Sequence, residues 1–231
     1  MEENTGIIAV IPAYNESFRI QEVIRSAFKF LPVLVVDDGS TDDTAGVSRS
    51  AGAQLIEQSP NLGKGAALRA GFSHAMSAGY QAAVTLDADG QHDPNDIPLF
   101  LNSYRETRSD LIIGMRDFSD MPLTRRLANS LGQLSFSWAV GEWVPDNQSG
   151  FRLLSGRLME AMLSSTESGF EFEVEMVVRC LQMGFHLEWV PVQTIYTGGG
   201  SHIKPLKHIK EFTRMVIKTR RMRDTFQYKP E

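Results

Sequence analysis

A series of short apolar runs, each ending at polar or acidic residues, constrains the fold of this chain more than any other feature. The five runs have the length of buried strands and occupy 7–11, 33–36, 54–57, 82–86 and 110–115. Helical spacing of apolar residues is found between them, at 17–29, 41–51, 63–79 and from 93 onward. Alternating strands and helices predict an α/β domain with a mostly parallel sheet. Ligands of such sheets bind beyond the carboxyl ends of the strands, where these polar clusters lie.

The second half of the chain is less regular. It predicts four elements, which are helices over 123–140 and 170–184 and strands over 149–154 and 187–191. Between 203 and 226, apolar residues recur at helical spacing among many Lys and Arg residues, which predicts a basic amphipathic helix. No repeat or low-complexity linker is present, so we expect one domain over 1–202 and a helical tail over 203–231.

Composition and charge narrow the class of protein. Apolar residues make up 42% and charged residues 22% of the chain, as in ordinary globular proteins. The single cysteine, Cys180, excludes an internal disulfide and a cysteine-rich zinc site. Residues 201–231 contain nine Lys or Arg and three Asp or Glu, although the net charge of the whole chain is −5. A basic tail on an acidic body indicates an anionic partner, either a membrane surface or nucleic acid.

The segment that follows the run at 82–86 indicates a metal site. Asp87 and Asp89 are two positions apart, so in an extended segment both carboxylates point to the same side. Together with Gln91 they offer hard oxygen ligands, which suit Mg²⁺ or Mn²⁺ shared with a diphosphate. An Asp-x-Asp turn alone is more often a solvated loop, but its place directly after a strand favours the metal interpretation.

Two further polar segments are candidates for ligand binding. Asp37 and Asp38 end the second run, where a carboxylate can accept hydrogen bonds from a nucleobase or from ribose hydroxyls. The residues after them also suit a capped helix start. Lys64 lies between two glycines whose spacing fits neither a dinucleotide fingerprint nor a P-loop. Two interpretations of Lys64 stay open: a lysine beside a diphosphate, or an exposed lysine in a turn.

Five segments together resemble the family 2 glycosyltransferases of GT-A fold. They are VIPAYNE at 10–16, the acidic segment 37–44, NLGKG at 61–65, LDADGQHDP at 86–94 and DNQSGFRLLS at 146–155. The combination is most similar to the branch of dolichyl-phosphate mannosyltransferases and polyprenyl-phosphate glycosyltransferases, and it covers about 6–160. It implies a GT-A, Rossmann-like domain with a mixed, mostly parallel sheet. It also implies inverting transfer from a UDP- or GDP-sugar with Mg²⁺ or Mn²⁺.

The resemblance implies roles for individual residues on the donor side. The residues expected in the nucleotide-sugar pocket are Pro12, Tyr14, Glu16, Asp37, Asp38, Lys64, Asp87 and Asp89. Within this set, Asp38 is expected at the base and Asp87 at the ribose or sugar. The expected metal ligands are Asp89, Gln91 and Asp87, and Arg116 is expected to face a phosphate.

On the acceptor side the resemblance points to Arg126, Ser130, Arg152 and Lys204. A lipid phosphate is anionic near neutral pH and attacks without a general base. Arg116, Arg126 and the metal would then screen the repulsion between phosphates. A hydroxyl acceptor would require a base, for which Asp146 is the candidate. Otherwise Asp146 positions the acceptor or orients Arg152, and a purely structural Arg152 also stays open.

The basic tail and one aromatic segment bear on partners. The tail suits the headgroup region of an anionic bilayer or docking on the body, and both interpretations stay open. Phe136, Trp138 and Trp143 suit either a groove for a lipid chain or the core. Nucleic acid does not fit a carboxylate-rich pocket. We therefore expect a cytoplasmic protein associated peripherally with the inner face of the membrane. A second copy of the chain or a membrane protein stays open as a further partner.

Three hypotheses about function follow. The first is a metal-dependent glycosyltransferase that acts on a polyprenyl or dolichyl phosphate. The second is the same fold acting on the hydroxyl of a soluble saccharide or protein. The third is a protein without catalysis that binds nucleotide sugars or serves as a membrane scaffold. Glu171, Glu173 and Glu175 are interpreted as charges favoured in the first turn of a helix.

Overall fold

The fold is seen in a computed structural model that describes residues 6–116, 123–146, 149–169, 171–193, 195, 216–217 and 219–220; the side chains of 123–131 lie outside this description. The strands are β1 Ile7–Ala13, β2 Val33–Asp37, β3 Gln54–Glu57, β4 Ala82–Thr85, β5 Leu111–Arg116, β6 Arg152–Ser155 and β7 Leu187–Val192. The helices are α1 Ile20–Ala27, α2 Thr44–Ser50, α3 Lys64–Ser77, α4 Ile97–Thr107, α5 Leu123–Val140, α6 Gly156–Leu163 and α7 Glu171–Gln182. A 3₁₀ turn over Pro94–Asp96 precedes α4.

The strands form one sheet in the order β3-β2-β1-β4-β6-β5-β7. Only β6 runs against its neighbours, being antiparallel to both β4 and β5. The other pairings are parallel, and their register aligns Ala13 with Asp37 and Arg116 with Val192 at the carboxyl ends. The predicted single α/β domain with a mixed, mostly parallel sheet is therefore confirmed. The carboxyl ends of β1, β2, β4 and β5, which polar clusters follow in the sequence, therefore lie along one edge of the sheet.

The strands are apolar throughout because helices cover both faces of the sheet. In β1, Ile8 and Val10 pack with α3, whereas Ala9 and Ile11 pack in a second core with α1. Gly71 lets α3 approach closely, since a Cβ at that position would lie 2.5 Å from Cγ1 of Val10. This tight packing fixes the start of α3 at the edge of the sheet where the polar clusters lie.

Three elements illustrate where the structure differs from the sequence prediction. Helix α6 was not predicted; it starts where the Ser155 hydroxyl accepts a hydrogen bond from the Leu158 N–H, next to Gly156. Helix α2 begins at Thr44 rather than near 41. Strand β6 begins at Arg152, because Ser149 and Gly150 lie before the sheet pairing starts.

Most of the predicted tail helix lies outside the described residues. Residues 216–217 and 219–220 are helical, and Val216 and Thr219 are buried. The Arg220 guanidinium lies 5.0 Å from the centre of the Trp138 ring, so this part of the tail contacts α5. The contact favours docking at this point, whereas the predicted boundary at 202–203 stays a prediction. Within the described ranges, no helix has the length and apolar character needed to cross a bilayer.

Candidate active site

A cleft of about 480 Å³ opens at the carboxyl ends of β1, β2 and β4, a size suited to a small-molecule ligand. Its lining residues are Pro12, Ala13, Tyr14, Glu16, Asp38, Asn61, Gly63, Lys64, Ala67, Asp87, Ala88 and Asp89. Seven of the eight residues predicted to bind the nucleotide sugar are in this set. The eighth, Asp37, lies buried at the end of β2 and accepts hydrogen bonds from the backbone N–H and the hydroxyl of Ser40.

Asp38 holds the loop that forms one wall of the cleft. Asp38 is 3% exposed, and its two carboxylate oxygens accept hydrogen bonds from the backbone N–H groups of Leu62 at 2.8 Å and Gly63 at 2.7 Å. Gly63 has a φ of 95°, a conformation that glycine adopts without strain. The sequence predicted Asp38 at the nucleobase, and its hydrogen bonds with the backbone of Leu62 and Gly63 were not predicted.

The loops after β1 and β2 brace each other at the mouth of the cleft. Asn15, at a φ of 56°, donates its backbone N–H to the Ser40 hydroxyl and accepts from the Thr41 N–H. Asp42 accepts hydrogen bonds from Thr44 and from the Ser17 N–H. The hydrogen bond from the Thr44 hydroxyl is the main reason why the pKa of Asp42 is lowered to about 2.

The loop after β4 carries the predicted metal ligands. Both oxygens of Asp89 accept hydrogen bonds from Gln91, one from its backbone N–H and one from its side-chain amide. His92 accepts from the Asp87 N–H through Nδ1, and its burial lowers its pKa, which keeps the ring neutral.

These residues fit a divalent cation that substrate phosphates help to hold. Among the described residues, no group of three or more His, Cys, Asp or Glu side chains is arranged to hold a metal by itself. Mg²⁺ is commonly bound by one or two carboxylates and by phosphate oxygens. Asp89 is partly exposed in the cleft, and its hydrogen bonds with Gln91 keep the two side chains next to each other.

Lys64 meets two carboxylates at the floor of the cleft. Its Nζ lies 2.5 Å from Oδ1 of Asp87 and 2.9 Å from Oε1 of Glu173. Burial alone would lower the pKa of Lys64, but attraction to Glu173 and Asp87 outweighs it and raises that pKa. Burial would likewise raise the pKa of Asp87, yet the charge of Lys64 holds it below its usual value. Glu173 was interpreted from the sequence as a first-turn charge, and no local pattern linked it to Lys64.

At the end of β5, Arg116 and Asp146 form a bidentate pair. The Arg116 Nε donates to Oδ2 of Asp146 at 2.7 Å and its Nη2 donates to Oδ1 at 2.9 Å. Asp146 is 3% exposed, whereas the Arg116 side chain is 23% exposed. The buried carboxylate thus orients an arginine that still reaches the surface. This geometry makes Asp146 a partner of Arg116, a pairing that was not predicted from the sequence.

Of the four acceptor residues predicted from the resemblance, Arg152 is the one whose side chain the structure describes. Arg152 is fully buried and donates to the backbone carbonyls of Ser149, at 2.7 Å, and Glu173. Arg152 was expected to contact the acceptor, but it has no exposed surface. Its guanidinium instead supports the backbone of the loop before β6. The side chains of Arg126 and Ser130 and the whole of Lys204 lie outside the described residues.

The chain matches a known protein family. The model of the family described as "Glycosyl transferase family 2" matches residues 8–162, about two thirds of the chain. The chain belongs to this family. The resemblance that its motifs indicated is therefore confirmed.

Relatives of this family 2 glycosyltransferase carry informative names. A UDP-N-acetylglucosamine–dolichyl-phosphate N-acetylglucosaminyltransferase of Methanococcus voltae is 29% identical over 217 residues, which cover 83% of this chain and 86% of the relative. An undecaprenyl-phosphate mannosyltransferase of Micrococcus luteus is 30% identical over 201 residues, which cover 80% and 82%.

A solved structure of glucosyl-3-phosphoglycerate synthase from Mycobacterium tuberculosis has a similar fold. It contains Mn²⁺, UDP and glucosyl-3-phosphoglycerate, and it superposes with a TM-score of 0.71 at 22% identity. The match covers 96% of this family 2 chain and 81% of the other. At this identity the similarity concerns the fold, which it identifies as GT-A.

Proposed function

We propose that this family 2 protein transfers a sugar, with inversion, from a UDP- or GDP-sugar to a polyprenyl phosphate at the cytoplasmic face of a membrane. The observation that carries the proposal is the cleft in which Lys64, Asp87 and Asp89 meet at the strand ends. Two relatives named for dolichyl or undecaprenyl phosphate support a lipid phosphate as acceptor.

On the donor side, we assign Mg²⁺ or Mn²⁺ to Asp89 and Gln91. A bound divalent ion supplies positive charge that stabilises the diphosphate as a leaving group. Lys64 adds a fixed cation to the same cleft, and Asp38 keeps the wall at Leu62 and Gly63 in place. The protein's own contribution is to hold an anionic donor with its sugar above the floor of the cleft.

On the acceptor side, the chemistry needs no proton transfer. An oxygen of the lipid phosphate attacks the anomeric carbon, and the bond from that carbon to the diphosphate oxygen breaks with inversion. Arg116 is the described cation that suits the incoming phosphate, because Asp146 holds it from the buried side. In this proposal Asp146 is a positioning residue for Arg116.

An exposed apolar face of α5 supports a lipid acceptor. Leu134, Trp138 and Trp143 are 57%, 63% and 61% exposed, on α5 or directly after it. Tryptophan is favoured at membrane interfaces, because its ring is amphipathic. Arg126 and Ser130 precede Leu134 in the sequence at four-residue intervals, a spacing that places helix positions on one side.

The test measures release of nucleoside diphosphate from a panel of UDP- and GDP-sugars, with and without a short-chain polyprenyl phosphate. We expect release that requires both the lipid phosphate and Mg²⁺ or Mn²⁺. Release that requires a hydroxyl acceptor instead would favour the second hypothesis and make Asp146 the base to test. Binding of a nucleotide sugar without release in any mixture would contradict catalysis and favour the third.

A further inference from the structure

Glu173 is a buried carboxylate behind Lys64, beneath the floor of the cleft, and the proposed reaction gives it no role. It is 2% exposed and does not line the cleft. Its Oε1 contacts Nζ of Lys64 at 2.9 Å, whereas Oε2 is buried and has no hydrogen-bond partner among the described residues. A buried carboxylate oxygen without a partner is costly to the fold, so its presence calls for a reason other than stability.

The position of Glu173 depends on close packing between α7 and the start of α3. Gly65 allows it, because a Cβ there would lie 2.8 Å from Cβ of Phe172. The Gly65 N–H also donates to the Ser168 carbonyl at 2.7 Å, and the rings of Phe72 and Phe172 stack. The carboxylate of Glu173 is therefore built into a rigid junction directly behind Lys64.

Gly150 shows how tightly this group of charges is enclosed. A Cβ at Gly150 would lie 2.9 Å from each of three atoms: Oδ2 of Asp87, Oε1 of Glu173 and Nζ of Lys64. The backbone of the loop before β6 thus closes over the group, and no side chain separates the two carboxylates from the lysine.

The two carboxylates that hold Lys64 differ in their access to a ligand. Asp87 lines the cleft, and its side chain is 29% exposed, whereas the side chain of Glu173 is 3% exposed. A nucleotide sugar entering the cleft competes with Lys64 for Asp87, but it does not reach Glu173. Glu173 is then the one fixed partner of Lys64. Without Glu173, the long, flexible side chain of Lys64 would be free to move.

We infer that Glu173 is a positioning residue that keeps the Lys64 ammonium at the floor of the cleft while the donor binds. This inference rests on the proposed function, because it assumes a nucleotide diphosphate donor in the cleft. Lys64 touches the donor, and Glu173 acts only through Lys64.

Glu173→Gln separates a positioning role from an effect of charge alone, because the two change the affinity for the donor in opposite directions. Glu173→Gln removes a negative charge near an anionic donor, so an effect of charge alone would strengthen donor binding. Loss of positioning would weaken it, because the lysine side chain must then be ordered when the donor binds. We expect donor binding to weaken by about 3- to 10-fold, the effect of one additional immobilised side chain.

The experiment is a double-mutant cycle that measures binding of the UDP- or GDP-sugar by titration calorimetry without acceptor. The four proteins are the wild type, Glu173→Gln, Lys64→Gln and the double variant. We expect Glu173→Gln to weaken binding in the wild-type background and to have no weakening effect once Lys64 is replaced. Glu171→Gln is the matched control, because Glu171 is an exposed carboxylate on the same helix turn.

Thermal unfolding of every variant separates binding from folding, and Glu173→Asp replaces Glu173→Gln in the cycle if the latter does not fold cooperatively. Equal losses in both backgrounds, or tighter binding in Glu173→Gln, would overturn the inference while leaving the proposed function intact. A wild-type protein that binds no nucleotide sugar would overturn the proposed function and this inference with it.

Discussion

Asp38→Asn tests whether Asp38 shapes the cleft through the backbone or reads the nucleobase directly. Asparagine has the same shape, but it offers one acceptor oxygen where the carboxylate offers two. The hydrogen bonds from Leu62 and Gly63, at 2.8 and 2.7 Å, both end on this buried carboxylate. The substitution therefore removes one charge-assisted hydrogen bond, weakens the other, and points an amide N–H₂ at a backbone N–H.

The magnitude follows from these two contacts. A hydrogen bond to a charged group contributes about 1.5 to 3 kcal/mol, so we expect the free energy of unfolding to fall by about 3 kcal/mol. For a chain of this length, that fall corresponds to a melting temperature about 6 to 12 °C lower. The loop at 61–63 lines the cleft. We therefore expect binding of UDP-sugars and binding of GDP-sugars to weaken equally.

The assays are thermal unfolding and titration with both nucleotide sugars. Asp43→Asn is the control, since Asp43 is an exposed carboxylate in the same loop between β2 and α2. An unchanged melting temperature, combined with loss of binding for only one of the two bases, would refute the structural role. That result would instead place the carboxylate on the base, as the family resemblance implied.

Four further predictions follow from the same geometry. Asp89→Ala should lower metal-dependent turnover by at least about 100-fold with an unchanged melting temperature, and an active variant would contradict the metal assignment. Asp146→Asn should lower turnover with a phosphate acceptor by about 10- to 100-fold through Arg116, without altering the shape of the pH–rate profile; loss of an acidic limb would indicate a base. Because the pKa of Asp42 is lowered to about 2 in the folded state, its contribution to stability should be complete above about pH 4 and decline towards pH 2. The difference in urea midpoint between wild type and Asp42→Asn should shrink over that range, and a constant difference would contradict the shift. Replacing both Trp138 and Trp143 with Ser should weaken binding to phosphatidylglycerol vesicles, measured by co-sedimentation, about tenfold. The control Leu99→Ser, on α4, should bind as the wild type does. Equal binding of the wild type, the double variant and the control would argue against a membrane role for α5.

The local sequence determined the strands and the edge at which the site lies. Runs such as 7–11 and 33–36 are apolar at every position because both faces of the sheet are covered, and this signal is independent of the rest of the chain. Parallel strands bring their carboxyl ends to one edge. The clusters at Pro12–Glu16, Asp37–Asp38 and Asp87–Asp89 were therefore predictable neighbours, and residues from all three line one cleft.

Only the tertiary structure decided what each side chain in that region does. Glu173 meets Lys64 because α7 packs on the start of α3, a contact between segments that are far apart in the sequence. Asp38 turns to the backbone of Leu62 and Gly63, and Asp146 turns to Arg116 at the end of β5. Apolar periodicity reports only which face of an element is buried. The partner of a buried charge depends on the distances that long-range packing leaves between side chains, and no local pattern records those distances.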